Sequence, residues 1–127
     1  MRIIHACLPI LLLVLLPPPA VRAAPPATAQ TEIEYLLAKI GGSDCKFYRN
    51  GSWYDAKRAR MHLQQKYDYL AKRNLLSSAD DFIAQAATQS SLSGRAYAIK
   101  CNDETVPSAQ WLRDALLTYR ASNDAGN

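Results

Sequence analysis

One histidine and three neighbouring serines are the residues whose chemistry could support catalysis. His62 could act as a general base, and Ser90, Ser91 and Ser93 carry hydroxyls that a base could activate. Such chemistry needs the imidazole within hydrogen-bond reach of a hydroxyl and a third group that orients the imidazole. The sequence places no serine beside His62. A hydrolase or transferase is therefore one hypothesis, and a histidine that is hydrogen-bonded within the fold is the alternative.

The segment from Arg49 to Tyr54 could instead bind a ligand without catalysis. Arg49 offers a planar set of donors for a carboxylate or phosphate, and Trp53 and Tyr54 offer aromatic faces for a sugar or a partner surface. Asn50-Gly51 is a strong signal for a two-residue turn, because both residues tolerate positive φ. In the alternative interpretation the turn only reverses the chain direction, and Arg49 pairs with a nearby acidic side chain. The candidate binding residues are Arg49, Asn50, Trp53, Tyr54, His62, Ser90, Ser91 and Ser93.

The sequence indicates neither a metal site nor an organic cofactor. It contains no C-x-x-C motif and no histidine cluster at ligand spacing. The serine-rich stretch from Ser90 to Gly94 lacks the pattern of a phosphate-binding loop and favours a helix end and turn. Lys57, Arg58 and Arg60 are typical of a solvated basic helix face, which could also meet an anionic envelope surface. The net charge near +2 that the chain would have after export is too small to favour nucleic acid as a partner.

The N-terminus predicts a targeting segment, residues 1–23. Arg2 precedes an apolar run over residues 6–16, which has the length of a signal-peptide core and is too short to span a bilayer. Prolines at 17–19 then prevent a helix from continuing. Cleavage is expected after Ala23, with a second candidate site after Ala29, and an uncleaved anchor is the alternative. The exported chain would have a net charge of +2, since Arg2 and Arg22 are removed, and no transmembrane span.

Cysteine usage agrees with export. Cys7 lies in the predicted signal, so Cys45 and Cys101 leave a single intramolecular pairing. An oxidising compartment would let this disulfide form and persist. Free or metal-binding thiols are the alternative, which would need further ligands nearby.

The remaining patterns predict one small α+β domain with the element order α-β-α-α-β-α. The first helix is expected to begin after Thr31 as N-cap, and the third after Ser78. Apolar residues at helical spacing define the buried faces of the four helices. These faces are Ile33, Leu36, Leu37 and Ile40; Ala56, Ala59, Leu63, Tyr67 and Leu70; Phe82, Ile83, Ala86 and Ala87; and Trp111, Leu112, Ala115, Leu116 and Tyr119.

Two strands are predicted, at residues 45–49 and 97–101, with a brief third segment at 52–54 and a loop at 102–105. Cys45 opens the first strand and Cys101 closes the other, so a bond between them is consistent with antiparallel pairing. A sheet of two strands is marginal alone. We therefore expect the helices to pack on a short antiparallel, hairpin-like sheet stapled by one disulfide. Residues 24–30 are predicted to be a flexible tether, 31–122 the globular domain and 123–127 a frayed tail.

Several motifs follow one another in the mature chain: Phe47-x-Arg49-Asn50-Gly51-x-x-Tyr54, His62-Leu63-x-x-Lys66, Ser90-Ser91-x-Ser93-Gly94-x-x-Tyr97 and Pro107-Ser108-Ala109-x-Trp111-Leu112. Their order resembles the YfeK-like family of small exported bacterial proteins of unknown function. The resemblance covers about residues 33–119. It implies a single exported domain, located in the periplasm of a Gram-negative bacterium, with cysteines at positions 45 and 101. It supplies no catalytic residues.

The sequence thus favours a non-enzymatic binding or accessory module of the bacterial cell envelope. Its partner would be an envelope protein or an anionic envelope component. The alternatives are the hydrolase or transferase that uses His62 with a serine of residues 90–93, and a purely structural envelope protein.

Overall fold

Four helices and four strands make up the described part of the chain, which in this computed structural model is residues 14–18 and 25–126. In chain order they are α1 (Ala27–Gly41), β1 (Lys46–Arg49), β2 (Ser52–Tyr54), α2 (Ala56–Lys72), α3 (Ala79–Ala86), β3 (Ala98–Cys101), β4 (Glu104–Pro107) and α4 (Ser108–Asp124). Among these helices, none combines the length and hydropathy needed to cross a membrane. Most of the predicted signal, Cys7 and the Ala23 cleavage site lie outside the described residues.

Helix α1 begins at Ala27, so the prediction that Thr31 caps it is wrong. Pro26 precedes the first helical residue, and its extended backbone sets the start. The alanines that follow favour helix strongly, and Ala29 is buried. Thr31 lies within the helix, where its hydroxyl donates to the carbonyl oxygen of Ala27 over 3.1 Å. Residues 27–30 of the predicted tether are therefore helical.

The antiparallel pairing of β1 with β3 is confirmed, and these two strands form the centre of the sheet. Lys46 lies opposite Lys100 and Phe47 opposite Ile99. One step further along this register, Cys45 lies opposite Cys101, with their Cα atoms 4.5 Å apart and the predicted disulfide formed. This separation is typical of directly opposed residues in an antiparallel pair.

The sheet has four strands in the order β2-β1-β3-β4, which is two more than the predicted central pair. The predicted return at 52–54 is strand β2. The predicted loop at 102–105 is instead a two-residue turn followed by β4. Asn102 and Asp103 form this turn with φ of 49° and 65°, the conformation that tight hairpins require. Strand β4 is an edge strand whose Glu104 and Thr105 are exposed, so its sequence lacks the apolar alternation by which strands are predicted.

The helices cover one face of the sheet, and the core lies between them. Phe47 and Ile99 are buried, whereas the alternating Lys46 and Lys100 are exposed. The predicted faces of α1 and α3 are completely buried. The face of α4 is buried at its centre, while Trp111 and Tyr119 are only partly buried. In α2 only Ala59 and Leu63 are buried, so this helix lies at the margin of the core.

An ion pair joins the first and last helices. Glu32 is buried and accepts two hydrogen bonds from the guanidinium of Arg120, at 2.6 Å from Nε and 2.9 Å from Nη2. Asp80 of α3 accepts a further bond from Nη2 over 3.0 Å. The two carboxylates raise the pKa of Arg120 above its ordinary value by hydrogen bonding to the charged guanidinium. The cluster therefore ties α1, α3 and α4 together.

Candidate functional site

The turn between β1 and β2 directs Arg49 towards α2. Asn50 and Gly51 occupy the turn with φ of 50° and 87°, which confirms the predicted two-residue turn. The strands it joins place Tyr54 opposite Phe47. The guanidinium carbon of Arg49 lies over the ring of Tyr54, 4.9 Å from its centroid, and that of Arg58 lies 5.2 Å from the same centroid. Two arginines thus lie close to one aromatic ring.

Arg49 of β1, His62 of α2 and Tyr97, which immediately precedes β3, form a hydrogen-bonded chain. Nη1 of Arg49 lies 2.8 Å from Nδ1 of His62 and 3.3 Å from Nε2. A guanidinium can only donate, and Nδ1 is the nearer of the two ring nitrogens, so we assign the acceptor role to Nδ1. The proton of the neutral ring is then on Nε2, which lies 3.1 Å from the hydroxyl of Tyr97 and donates to it.

Lys66 extends this chain on the far side of Tyr97. Its ammonium donates to the hydroxyl oxygen of Tyr97 over 3.2 Å and to the carbonyl oxygen of Gln89 over 3.1 Å. It also lies 5.0 Å from the centroid of the Tyr97 ring. The oxygen of Tyr97 thus accepts from both Lys66 and His62, which leaves its own hydroxyl proton for another acceptor.

Burial and positive charge fix the protonation states of these groups. The pKa of His62 falls from 6.5 to about 4, because the ring is partly desolvated and lies near Arg49 and Lys66. The pKa of Lys66 is lowered by burial and by Arg49. Burial raises the pKa of Tyr97. At neutral pH His62 is therefore neutral, and Tyr97 retains its proton.

No carboxylate of the described residues compensates the charge of Arg49. The ion pairs in residues 14–18 and 25–126 are those of Arg120 with Glu32 and Asp80. Arg49 instead contacts a neutral imidazole and an aromatic ring. The alternative interpretation, in which Arg49 pairs with a nearby acid, is therefore wrong.

A cavity of about 230 Å³ lies between the β1–β2 hairpin and α2. We call it the hairpin cavity. Its lining includes Arg49, Arg58, His62 and Tyr97, and it contains no aspartate or glutamate. The remaining lining residues are apolar or uncharged: Phe47, Tyr48, Tyr54, Ala59, Met61, Leu63, Gln65, Ala98 and Ser108. A site with this lining favours an anionic group attached to an apolar body.

Residues 90–94, which we call the serine turn, form a separate cluster next to the cavity. The side-chain amide of Asn50 donates to Oγ of buried Ser90 over 3.1 Å, and Ser93 donates its hydroxyl to the amide oxygen of Asn50. Gly94 has a φ of 72°, a conformation that glycine adopts readily and other residues rarely do. These bonds hold the serine turn against the β1–β2 turn.

Two predicted site residues lie outside both groups. Ser91 is exposed. Trp53 is 46% exposed and packs edge-on against Tyr48, with 5.4 Å between ring centroids. Because Trp53 alternates with Tyr54 along β2, it lies on the face of the sheet away from the helices.

The described contacts do not form the nucleophile–base pair that a hydrolase would need. The lone pair of His62 on Nδ1 accepts from Arg49, and its other nitrogen contacts Tyr97. Ser90 and Ser93 bond to Asn50 instead. Among the described residues, no group of three or more histidine, cysteine or acidic side chains could hold a metal ion.

Comparison with known proteins identifies a family. The model of a family of unknown function (DUF5329) matches residues 27–120. The chain belongs to this family. The DUF5329 match begins at the first residue of α1 and includes both cysteines of the disulfide and every lining residue of the hairpin cavity. Neither the curated proteins nor the solved structures give a match to the chain. The resemblance to the YfeK-like family remains a prediction.

The sequence did not identify three residues of this candidate site: Arg58, Lys66 and Tyr97. Arg58 was assigned to a solvated helix face, and Lys66 and Tyr97 were named only as parts of the motifs. One signal could have found Lys66: it follows His62 by four residues, so both lie on the same face of α2. Tyr97 immediately precedes β3, and only the pairing of β1 with β3 brings it beside α2.

Proposed function

We propose that this protein is an exported, non-enzymatic binding module of the bacterial cell envelope, and that its ligand occupies the hairpin cavity. One observation carries the proposal. Arg49 lines a cavity without a carboxylate partner among the described residues, and it is held in place by His62 and Tyr54. A partly buried cation of this kind is stabilised when an anion binds.

The proposal of export rests on the N-terminal pattern, the disulfide and the resemblance to the YfeK-like family. A disulfide persists in an oxidising compartment such as the periplasm. The fold also bears on the cleavage site. Cleavage after Ala23 leaves α1 whole, whereas cleavage after Ala29 removes its first three residues, including buried Ala29 itself. We therefore favour Ala23.

The proposal of a non-enzymatic role rests on His62. A general base works best with a pKa near the working pH and a free lone pair. The pKa of His62 is about 4, and its lone pair is occupied by Arg49. His62 therefore serves to position Arg49.

The test of binding uses the full chain expressed in a Gram-negative bacterium and purified in oxidised form. The immobilised protein is incubated with the low-molecular-mass fraction of an envelope extract, and the retained molecules are identified by mass spectrometry. Arg49→Ala removes the cation of the cavity. Lys100→Ala is the matched control, because it removes the same charge from the exposed face of the sheet.

We expect at least one molecule that is retained by the wild type and by Lys100→Ala and lost by Arg49→Ala. If all three proteins retain the same molecules, or none, the hairpin cavity is not a binding site. A purely structural envelope role would then be the better account. Circular dichroism of each variant checks that it is folded.

The test of export is the intact mass of the purified protein. A chain that begins at Ala24 and contains no free thiol supports the proposal. A chain that retains its N-terminus and is recovered from the cytoplasm with reduced cysteines contradicts it.

A further inference from the structure

The lining of the hairpin cavity brings the guanidinium groups of Arg49 and Arg58 and the hydroxyl of Tyr97 to one site. The guanidinium of Arg49 has five N–H groups, and the hydrogen bond to His62 uses one of them. Tyr97 accepts from Lys66 and His62, so its hydroxyl proton is available to a ligand. Both side chains line the cavity. They offer a charged and a neutral donor to one small acceptor group.

The apolar part of the lining is continuous with the core. Phe47, Ala59 and Leu63 are buried residues that also line the cavity. An apolar cavity of about 150 Å³ holds a molecule of benzene. The hairpin cavity, at about 230 Å³, therefore has room for one ring or a short alkyl chain together with an ionised group.

A carboxylate is the simplest ionised group that Arg49 and Tyr97 can bind together. A carboxylate has two oxygens and matches the planar donors of one arginine, with Tyr97 as an additional donor. A phosphate monoester has three terminal oxygens and needs more donors. The backbone N–H of Arg58 already donates to the carboxylate of Asp55 over 2.9 Å, but the guanidinium of Arg58 also lines the cavity, so a phosphate probe is needed to separate the two groups.

We infer that the hairpin cavity binds a small monocarboxylate with a flat or short apolar body, whose carboxylate is held by Arg49 and Tyr97. This inference rests on the proposed function, because it names the ligand class of the same site. His62 contributes as a positioning residue: it holds the guanidinium on one side and directs the hydroxyl of Tyr97 on the other. The ring of Tyr54 supports the same guanidinium from the hairpin.

The test titrates the oxidised, purified protein with defined probes by isothermal calorimetry and by NMR. Benzoate and hexanoate carry the carboxylate with an apolar body. Benzamide keeps the body without the charge, acetate keeps the charge without the body, and phenyl phosphate exchanges the carboxylate for a phosphate. We expect benzoate or hexanoate to bind at least about tenfold more tightly than benzamide, as a charge-assisted hydrogen bond predicts. Acetate should bind more weakly as well, because it leaves the apolar lining unfilled.

Three variants show whether the probes bind in the hairpin cavity. Arg49→Ala and Tyr97→Phe should each weaken benzoate binding, the former by about tenfold or more, whereas Lys100→Ala should leave it unchanged. Tyr97→Phe keeps the aromatic ring and removes only the hydroxyl. The comparison of benzoate with benzamide needs only the wild type, so it decides the matter even where a variant does not fold.

Three results overturn the inference. The first is equal binding of benzoate and benzamide, and the second is tighter binding of phenyl phosphate. The third is no binding of any probe. If the extract experiment still yields a molecule that depends on Arg49, only the ligand class is wrong and the proposed function stands. If neither experiment shows binding, both fail.

Discussion

Nη1 of Arg49 lies 2.8 Å from Nδ1 of His62, so a permanently charged guanidinium donates to a neutral imidazole. Arginine and histidine are both cations at low pH, and their contact is favourable only while the ring is unprotonated. The contact therefore makes the protonation state of one histidine part of the structure of the hairpin cavity. It also connects the folding of the protein to pH.

The stability of the protein should fall in mild acid through His62. Its pKa is 6.5 in the unfolded chain and about 4 in the fold. Between these values the unfolded chain binds a proton that the folded chain does not, so acidification favours unfolding. We expect no loss of stability from His62 above pH 7. Near pH 4 the loss should reach about 1 to 2 kcal/mol in the free energy of unfolding, after allowance for solvent screening of a partly exposed ring.

Urea unfolding of the wild type and of His62→Gln over this pH range measures the contribution. The variant lacks the titrating group, so the difference between the two stabilities should change with pH, with the wild type losing more in acid. A constant difference from pH 7 to pH 4 contradicts the assignment. Direct NMR titration of the imidazole gives the second measurement.

The serine turn should be energetically coupled to the β1–β2 turn. Ser93 donates to the side chain of Asn50, which in turn donates to Ser90. In a double-mutant cycle, Asn50→Ala and Ser93→Ala should show a coupling of about 0.5 to 1.5 kcal/mol. Ser91→Ala is the control, because Ser91 is exposed. Its effect on the free energy of unfolding should simply add to the effect of Asn50→Ala, without coupling. Equal coupling for Ser91 and Ser93 would show that the bond has no energetic role.

The disulfide should contribute strongly to stability. It joins Cys45 and Cys101 across a sequence separation of 56 residues. In the chain-entropy model, closing such a loop stabilises the fold by about 4 kcal/mol. Urea unfolding of the wild type with and without reductant should differ by this amount. The double variant Cys45→Ser, Cys101→Ser should have the stability of the reduced wild type in both buffers. A wild type whose stability does not respond to reductant argues against the bond.

The Glu32–Arg120 ion pair should contribute more to the stability of the fold than the Asp80–Arg120 pair. Glu32 is buried and accepts two bonds, whereas the side chain of Asp80 is 61% exposed. Arg120→Met should cost about 2 to 3 kcal/mol, because it leaves a buried carboxylate without its partner. Asp80→Asn should cost less than about 1 kcal/mol.

Replacing both partners tests the reason for that cost. In Glu32→Leu, Arg120→Met no charge remains to be buried, so more than half of the lost stability should return. Thermal unfolding of the single and double variants measures this recovery. A double variant that is as unstable as the sum of its single changes would contradict the explanation.

The local features of the fold were predictable because they depend on residues close in sequence. Ser78 accepts a hydrogen bond from the backbone N–H of Asp81, as its position before α3 predicts. The buried faces of α1 and α3 follow the helical period, and Asn50-Gly51 forms the expected turn. The pairing of Cys45 with Cys101 was predictable for a different reason, since Cys7 was assigned to the predicted signal and only one partner was then left for each.

The sequence by itself therefore determined the α+β class, the buried faces of α1 and α3 and the antiparallel central strands. Residue spacing and helix capping act over a short range of sequence, and two cysteines leave a single pairing. Only the tertiary structure decided which polar side chains meet. His62 lies 35 residues from Tyr97, and Asn50 lies 40 residues from Ser90. Such contacts depend on strand register and on how α2 packs at the margin of the core. Neither of these leaves a periodic signal in the residues themselves.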